Sequence, residues 1–309
     1  MIDKKILVTG GAGFIGSNLT RELSKENIVT VIDDLSSGHL GNIKYLIDGN
    51  KINFIKGSIT DIDLLKKSTK DIDYIFHLAA IASIPKSIKD PVTTHKVNVN
   101  GLFNVLTSAK DNNVKKVVFS SSCAIYGNPS KCPIDENTEP NPLSPYSTSK
   151  LIGEKYCNLF KEVYDLQTVS LRYFNVYGPR QDPLGDYAAV IPKFISLTLE
   201  DKPLIIYGTG EQTRDFIFVK DVVKANILLA ENKVSGVFNV GSGKKTSIKD
   251  LAESILEISN KDLEIKYQHE RPGDIIDSYA DISKFKKLDF NTEYNLDEGL
   301  KETYNWFNK

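Results

Sequence analysis

The sequence predicts an α/β protein built on a doubly wound parallel sheet, with a smaller α/β domain after it. Three observations support this fold class. Short β-branched runs alternate with longer helical patterns through the first half of the chain, as in successive β-α-β units. Several of these runs are apolar throughout, which is typical of strands that helices cover on both faces. A glycine-rich turn also follows the first run directly.

The predicted elements follow one another in a regular order. The strands are Lys5–Thr9, Val29–Asp33, Ile52–Lys56, Tyr74–Leu78, Lys116–Ser121 and Thr168–Arg172. The helices are Phe14–Lys25, Asp61–Thr69, Asp90–Asn112 and Tyr146–Tyr164. After about Tyr173 the alternation weakens and turns rich in Gly and Pro appear. We therefore predict a first domain at 1–174 and a second at 175–309, with about 215–240 packing back on the first.

The composition is that of an ordinary globular protein, with 40% hydrophobic and 26% charged residues and a formal charge of −1 at pH 7. A chain so close to neutral has no net basic field, so neither nucleic acid nor an anionic membrane is an expected partner. The histidines and cysteines show no metal-ligand spacing, which predicts no metal site and reduced thiols. Without a secretory segment or a membrane-spanning apolar run, the expected location is the cytoplasm.

A phosphate-binding turn is predicted where the first strand gives way to the first helix. Gly10, Gly13 and Gly16 occur there at a spacing expected by chance only roughly 0.1 times per chain. Glycine lets the backbone approach a pyrophosphate, whose charge then lies at the helix amino terminus. About twenty residues later the second strand ends at Asp33, with Asp34 beside it. A carboxylate there accepts hydrogen bonds from ribose hydroxyls and repels a 2′-phosphate, which favours NAD over NADP.

A candidate reacting centre follows the fifth strand. Tyr146 and Lys150 are four residues apart on one face of a predicted helix, a pair that chance alone supplies roughly 1.5 times per chain. Its position is more informative than its spacing, because parallel sheets bind ligands at the carboxyl ends of their strands. We expect the Lys150 ammonium and a cationic nicotinamide to favour the Tyr146 phenolate as a base. Ser122, at the strand end, is then placed to hold the substrate oxygen.

Taken together, the motifs resemble the extended short-chain dehydrogenase/reductase superfamily, whose members have a Rossmann fold. They are TGGAGFIG at 9–16, HLAA at 77–80, NVNG at 98–101, SSS at 120–122, YSTSK at 146–150 and RYFNVYGPR at 172–180. The resemblance implies tightly bound NAD, contacted by Gly10, Gly13, Phe14, Ile15, Gly16, Asp33, Ser58, Ile59, Leu78, Ala79, Ala80, Asn98, Tyr146 and Lys150. One departure is Ser58, since many relatives have an Asp there that touches adenine.

Within that superfamily the chain is similar to the UDP-hexose 4-epimerase group, which oxidises C4 of the sugar and reduces it again from the other face. The related 4,6-dehydratases have an Asp-Glu pair where this chain has Cys123 and Ala124, which cannot do that acid–base chemistry. Decarboxylating relatives have a Glu in the same region, also absent here. Two alternative enzymes remain: a UDP-glucuronate 4-epimerase, and another nucleotide-sugar oxidoreductase or dehydratase. The alternative that is not an enzyme is a regulatory sensor of NAD(H) or nucleotide sugars.

The same resemblance implies the substrate contacts and the assembly. The substrate-binding residues would be Lys86, Ser122, Tyr146, Asn175, Val190, Tyr207, Gln212, Arg214, Arg271, Asp274 and Ser278. Ser278 aligns with the position that limits the C2 substituent of the sugar, and a serine leaves room for an N-acetyl group. We therefore expect interconversion of UDP-N-acetylglucosamine and UDP-N-acetylgalactosamine, with UDP-glucose and UDP-galactose as a second pair. The family also implies a homodimer through the helices at Asn98–Asn112 and Lys150–Tyr164.

Overall fold

The structure, a computed structural model, describes residues 1–183, 189–270 and 275–309. Its strands are β1 (Lys5–Thr9), β2 (Ile28–Asp33), β3 (Ile52–Lys56), β4 (Tyr74–His77), β5 (Lys116–Ser122), β6 (Thr168–Tyr173), β7 (Asn175–Tyr177), β8 (Leu204–Tyr207), β9 (Thr213–Arg214), β10 (Phe216–Phe218), β11 (Gly236–Val240), β12 (Thr246–Ser247), β13 (Ile265–Gln268) and β14 (Asp277–Ser278).

The α-helices are α1 (Phe14–Leu23), α2 (Lys44–Asp48), α3 (Ile62–Ser68), α4 (Ile84–Lys89), α5 (Pro91–His95), α6 (Gly101–Asp111), α7 (Pro145–Tyr164), α8 (Val190–Leu199), α9 (Val219–Glu231), α10 (Ile248–Ser259), α11 (Ser283–Lys286) and α12 (Leu296–Phe307). A π-helical turn, Lys96–Asn100, joins α5 to α6, and a 3₁₀ turn, Cys123–Tyr126, follows β5. No helix in the described ranges is long and apolar enough to cross a membrane.

The chain divides into two compact units. The first comprises Met1–Gly127, Glu139–Tyr173 and Val223–Phe238, and the second comprises Asn128–Thr138, Phe174–Val222 and Asn239–Lys309. The segment Asn128–Thr138 belongs to the second unit because Ile134 forms backbone hydrogen bonds there: its N–H donates to Tyr279 O, and its carbonyl accepts from Asp281 N. The division is therefore less simple than the predicted boundary after residue 174.

The first unit is built on a seven-stranded sheet in the order β11-β6-β5-β4-β1-β2-β3. Adjacent strands from β6 to β3 run parallel, with Thr9 opposite His77 and His77 opposite Phe119. This order confirms the predicted doubly wound sheet. The chain reverses direction across the sheet between β1 and β4, and ligands of such sheets bind at the carboxyl ends of the strands on either side of that point.

Helices α6 and α7 cover one face of this sheet. In α6 the buried residues Leu102, Val105, Leu106 and Ala109 recur at intervals of three and four, so they form one apolar stripe. The stripe belongs to a core that also contains Phe119 of β5 and Cys157 and Phe160 of α7. This packing fixes α7 against β5, and the candidate reacting centre lies on those two elements.

The second unit contains three small sheets among the described residues. They have the orders β10-β7, β12-β9-β14 and β13-β8. Helix α10 buries Leu251, Ala252 and Ile255 of its amphipathic face. Strands this short contain few apolar residues each, which explains why the sequence pattern predicts the individual elements of this unit less well than the strands of the large sheet.

Candidate active site

The glycine turn after β1 brings the backbone against the loop that follows β4. Gly10 has φ of +74°, and a Cβ built there would lie 2.6 Å from the Ala79 nitrogen. Gly13, in an extended conformation, is the N-cap of α1, and no side chain caps that helix. Backbone N–H groups of the first helical turn therefore have no side-chain acceptor, and an uncapped amino terminus is suited to bind a pyrophosphate.

Asp33 ends β2 and faces the glycine turn. Its side chain is buried, and its two oxygens accept hydrogen bonds from Ala12 N at 2.9 Å and Leu35 N at 2.8 Å. Burial raises the pKa of Asp33, although these two backbone hydrogen bonds oppose the rise. Each carboxylate oxygen has a second lone pair and so can accept a ribose hydroxyl as well. The neighbouring Asp34 is exposed and accepts a hydrogen bond from Ser36 N.

The loop after β3 contains two predicted cofactor contacts, Ser58 and Ile59, whose surroundings differ. The Ser58 hydroxyl is 3.0 Å from the Thr60 hydroxyl, so part of its hydrogen-bonding capacity is used within the loop. Ile59 is buried, and a Cβ added at Gly101 would lie 2.5 Å from its Cδ1 atom. Ile59 therefore packs against the start of α6, which needs a glycine at that point.

Asn98 holds the loop after β4 in place. It lies in the π-helical turn and is buried. Its amide donates to Ile81 O at 3.1 Å and to Ser149 Oγ at 3.0 Å, and its carbonyl accepts from Ile81 N at 2.8 Å. The side chain thus links this loop to α7 and holds the loop in position. The contact of Asn98 with NAD stays a prediction.

Residues 78–80 of that loop start at the end of β4. Leu78 N donates to Thr9 O at 3.0 Å, so the loop leaves β4 alongside β1. The preceding residue, His77, is fully buried and its Nδ1 lies 2.7 Å from the Thr9 hydroxyl. Burial, together with the nearby Lys150, lowers the pKa of His77 to about 3, so its imidazole is neutral.

The predicted reacting residues come together at the carboxyl end of β5. Ser144 caps α7 and forms a reciprocal capping box with Ser147, which fixes the helix start and leaves Tyr146 in its first turn. The Ser122 side chain lies near enough to the Tyr146 hydroxyl to lower the pKa of the phenol. One turn later, Lys150 Nζ donates to Ser120 O at 2.6 Å and lies 5.8 Å from the centre of the Tyr146 ring.

Burial shifts the pKa values of both reacting side chains. Burial raises the pKa of Tyr146 to about 12, and the Ser122 side chain opposes that rise only in part. Burial also lowers the pKa of Lys150 to about 8. Desolvation is the largest cause of both shifts, so burial by itself does not ionise the phenol. The expected effect of the Lys150 ammonium and a cationic nicotinamide on Tyr146 stays a prediction.

In the second unit, five of the predicted substrate-binding residues line one cavity of about 240 Å³. They are Asn175, Val190, Tyr207, Gln212 and Arg214. Ser278 is buried in β14, directly opposite Arg214 of β9. Lys86 lies in α4 of the first unit, and Arg271 and Asp274 fall outside the described residues.

The cavity wall is held by hydrogen bonds to backbone carbonyls. Gln212 donates to Tyr207 O at 2.7 Å, and Arg214 Nη1 donates to Thr213 O at 2.8 Å and Ile275 O at 2.7 Å. These bonds orient the guanidinium at the end of β9. A guanidinium presents its N–H donors in a planar fork, which is the geometry that suits a phosphate.

Asp215 is a residue that the sequence did not single out. It is fully buried and accepts four hydrogen bonds, from Ser242 N and Oγ, Gly243 N and Ala280 N, at 2.7 to 3.1 Å. Its own backbone carbonyl accepts from Asn175. Asp215 therefore connects the chain segments that contain Asn175, Arg214 and Ser278. The only signal in the sequence is a single acidic residue between Arg214 and an apolar strand.

The fold and these sites define a dinucleotide-dependent enzyme of the short-chain dehydrogenase/reductase type. The chain belongs to the NAD dependent epimerase/dehydratase family, whose pattern it matches over residues 6–241. This confirms the predicted superfamily, the enzyme class and the NAD cofactor. The residues fit NAD because the first unit has an uncapped helix amino terminus, a glycine at the close backbone approach and a carboxylate with free acceptor capacity.

Several of its relatives are nucleotide-sugar 4-epimerases. A putative UDP-glucose 4-epimerase of Methanocaldococcus jannaschii is 41% identical, over 97% of each chain. A solved structure of UDP-N-acetylglucosamine 4-epimerase from Methanobrevibacter ruminantium M1 has a TM-score of 0.97 and 47% sequence identity to this chain, over 99% of each chain. The UDP-glucose 4-epimerase of Thermotoga maritima is 39% identical, with a TM-score of 0.93 over 98% of each chain.

Proposed function

We propose that the protein is an NAD-dependent 4-epimerase that interconverts UDP-N-acetylglucosamine and UDP-N-acetylgalactosamine through a transient 4-keto sugar. UDP-glucose and UDP-galactose are proposed as a second substrate pair. The observation that carries the N-acetyl preference is the small, buried Ser278, which pairs with Arg214 across two strands. Arg214 lines the cavity of the second unit. A serine side chain leaves space for a C2 substituent. The likeness to the Methanobrevibacter enzyme supports the same substrate.

The cavity of the second unit is proposed to hold the uridine diphosphate. Tyr207 and Val190 offer ring and apolar contacts for the uracil, and Arg214 offers a fork for a phosphate. Arg271 is proposed as a second fork. The resemblance of the sequence implies this contact of Arg271, and a guanidinium fork suits a phosphate.

The chemistry is proposed to proceed at Tyr146 and Ser122. Ser122 holds the C4 oxygen of the sugar by a hydrogen bond, and Tyr146 removes the hydroxyl proton as the C–H bond breaks. When bound, NAD would supply reversible hydride chemistry at C4, with no net oxidation of the sugar. Because the Tyr146 phenol has a pKa of about 12, it needs positive charge nearby to ionise. Lys150 supplies such a charge while it is protonated, below its pKa of about 8.

One assay tests this function. The purified protein is checked for bound NAD and then given UDP-N-acetylglucosamine or UDP-glucose in separate reactions, and the C4 epimers are measured by NMR. Tyr146→Phe should lower turnover by about 10² to 10⁴-fold, because it removes the acid–base group but keeps the ring. Wild-type turnover in this variant would refute Tyr146 as the base. UDP-glucuronate is tested as a third substrate, because the UDP-glucuronate 4-epimerase of Thermodesulfobacterium geofontis is 34% identical to this chain.

A second experiment tests the role of Ser278. We expect Ser278→Tyr to abolish turnover of UDP-N-acetylglucosamine and to retain turnover of UDP-glucose, because only the larger C2 substituent meets the phenol ring. Ser278→Ala is the matched control and should keep both activities. If Ser278→Tyr lowers both activities equally, the N-acetyl selectivity lies elsewhere in the site.

The protein is also proposed to be a homodimer through the helices Asn98–Asn112 and Lys150–Tyr164. Phe103 of α6 and Leu159 and Val163 of α7 are 42%, 46% and 59% exposed. Phe103 also stacks edge-on with Tyr156, 5.3 Å between ring centres, so the two helices present a joint apolar surface. Light scattering after size-exclusion chromatography should give a dimer for the wild type and a monomer for Val163→Glu.

A further inference from the structure

A buried ion pair joins α7, the helix that contains Tyr146 and Lys150, to strand β6. Glu154 is one turn beyond Lys150 in α7, so the three side chains follow one another at intervals of four residues along one side of that helix. Arg172 of β6 binds Glu154 with two parallel bonds: Nε donates to Oε1 at 2.9 Å and Nη2 donates to Oε2 at 2.7 Å. Both side chains are about 95% buried, with 4% and 5% exposure.

The last three residues of β5 each contact one of these three positions on α7. The contacts pair the Ser122 hydroxyl with Tyr146, the Ser120 carbonyl with Lys150 and the Ser121 hydroxyl with Glu154. Ser121 Oγ donates to Glu154 Oε1 at 2.5 Å. Ser121 and Arg172 are also direct neighbours across β5 and β6. One carboxylate therefore joins the helix to two adjacent strands at the carboxyl end of the sheet.

The same arginine fixes the turn that follows Ser122. Its Nη1 donates to the Tyr126 hydroxyl at 2.8 Å, and its guanidinium lies 4.8 Å from the centre of the Tyr126 ring. Tyr126 ends the 3₁₀ turn that starts at Cys123, immediately after Ser122. Ser122 is thus held on both sides, by the contact of Ser121 with Glu154 and by that of Tyr126 with Arg172.

Stability alone is a poor explanation for this pair. Removing two charges from water is costly, and well-packed apolar residues often replace a buried ion pair with no loss of stability. A bidentate pair does provide directional constraint, which an apolar contact does not. Catalysis needs that constraint, because a misplacement of about 1 Å can lower a rate about 100-fold.

We propose that Glu154, held by Arg172, is a positioning residue for the epimerase reaction: it sets the register of α7 against β5 in which Ser122 meets Tyr146 and Ser120 meets Lys150. This inference rests on the proposed function, since the rate that it controls is that of the sugar epimerisation. The ion pair touches neither the sugar nor the cofactor in this assignment and acts only through Ser121, Tyr126 and the helix.

The decisive variant exchanges the pair for apolar residues of similar size, Glu154→Leu with Arg172→Met. We expect a folded protein, an unchanged KM for the UDP-sugar and a kcat lowered about 100-fold. Its stability should fall moderately, because the buried Ser121 hydroxyl loses the carboxylate to which it donates. Stability is measured by urea denaturation and the rate by NMR with the substrate that the wild type turns over. A double variant that keeps the wild-type kcat overturns the proposal.

Two single variants keep the test decisive if the double variant does not fold. Ser121→Ala removes one contact of Glu154 and should lower kcat with KM unchanged. Glu154→Gln keeps the shape but leaves the Arg172 charge unbalanced, which disfavours protonated Lys150 and favours ionised Tyr146. Both effects move the pH profile of kcat to lower pH, by about one unit. Wild-type rates and an unmoved profile in both variants overturn the proposal.

Lys116 supplies a matched control at the other end of β5. It is buried and donates to the carbonyls of Leu229, Asn232 and Val234 at 2.6 to 2.8 Å, about 17 Å along the strand from Ser121. Lys116→Met also removes a buried charge and should leave kcat and its pH profile unchanged. A wild type that epimerises none of the UDP-sugars refutes the proposed function, whereas an active wild type with equally active Glu154 variants refutes only the positioning role.

Discussion

Replacement of Asp215 by Asn should destabilise the second unit severely, although the two side chains have nearly the same shape. One carboxylate oxygen accepts from Ser242 N and Oγ, and the other accepts from Gly243 N at 3.0 Å and Ala280 N at 3.1 Å. The asparagine amide can replace only one of these oxygens. With its carbonyl towards Ser242, its NH₂ group faces two backbone N–H donors.

The magnitude follows from the number of donors left without an acceptor. Each buried N–H that loses its acceptor costs about 1–3 kcal/mol, so two such groups cost about 2–6 kcal/mol. A whole domain is stable by only about 5–15 kcal/mol, so this change removes a large part of the free energy of unfolding. Since Asp215 lies next to Arg214, the KM for the UDP-sugar should rise as well.

Urea denaturation followed by the fluorescence of Trp306 measures the effect, because this single tryptophan lies in α12 of the second unit. Asp201→Asn is the matched control: that carboxylate forms an ion pair with Lys261 but is 73% exposed, and its loss should cost below about 1 kcal/mol. If Asp215→Asn unfolds at the same urea concentration as Asp201→Asn, the assignment of Asp215 as the centre of this hydrogen-bond network is wrong.

Three further predictions concern the first unit. Gly10→Ala should lower both stability and NAD affinity, because the new residue would have a positive φ and a Cβ 2.6 Å from Ala79 N. Denaturation and cofactor titration measure the two effects. The control Gly41→Ala, whose added Cβ would have no atom within 4 Å, should change neither. Asp33→Asn should weaken NAD binding and reduce the discrimination against NADP, and dissociation constants unchanged for both dinucleotides would contradict this. Lys150 has a pKa of about 8, so its ammonium loses a proton as pH rises through that value, and kcat should fall there. A kcat that stays level to pH 10 would show that the ammonium is not needed.

The sequence predicted the large sheet well because its signals are local. The six predicted strands and four helical patterns all have counterparts in the structure, and no predicted end is displaced by more than two residues. Alternation of apolar runs and helical stripes depends only on residues that are close in the chain. The seventh strand, β11, was not predicted, since Gly236–Val240 joins the sheet from far along the sequence. Helices α2 and α4 were also missed, because they are too short for a clear periodicity.

Within the candidate sites, the sequence by itself determined which residue types could do the chemistry: the glycine turn, the strand-end carboxylate and the Tyr146–Lys150 pair. Only the tertiary structure decided what surrounds them. The pKa of Tyr146 depends on burial by distant segments, and the contacts of Glu154 and Asp215 join residues 18 to 65 positions apart. Desolvation and long-range hydrogen bonds arise only when the chain is folded, so no local pattern of residues contains them.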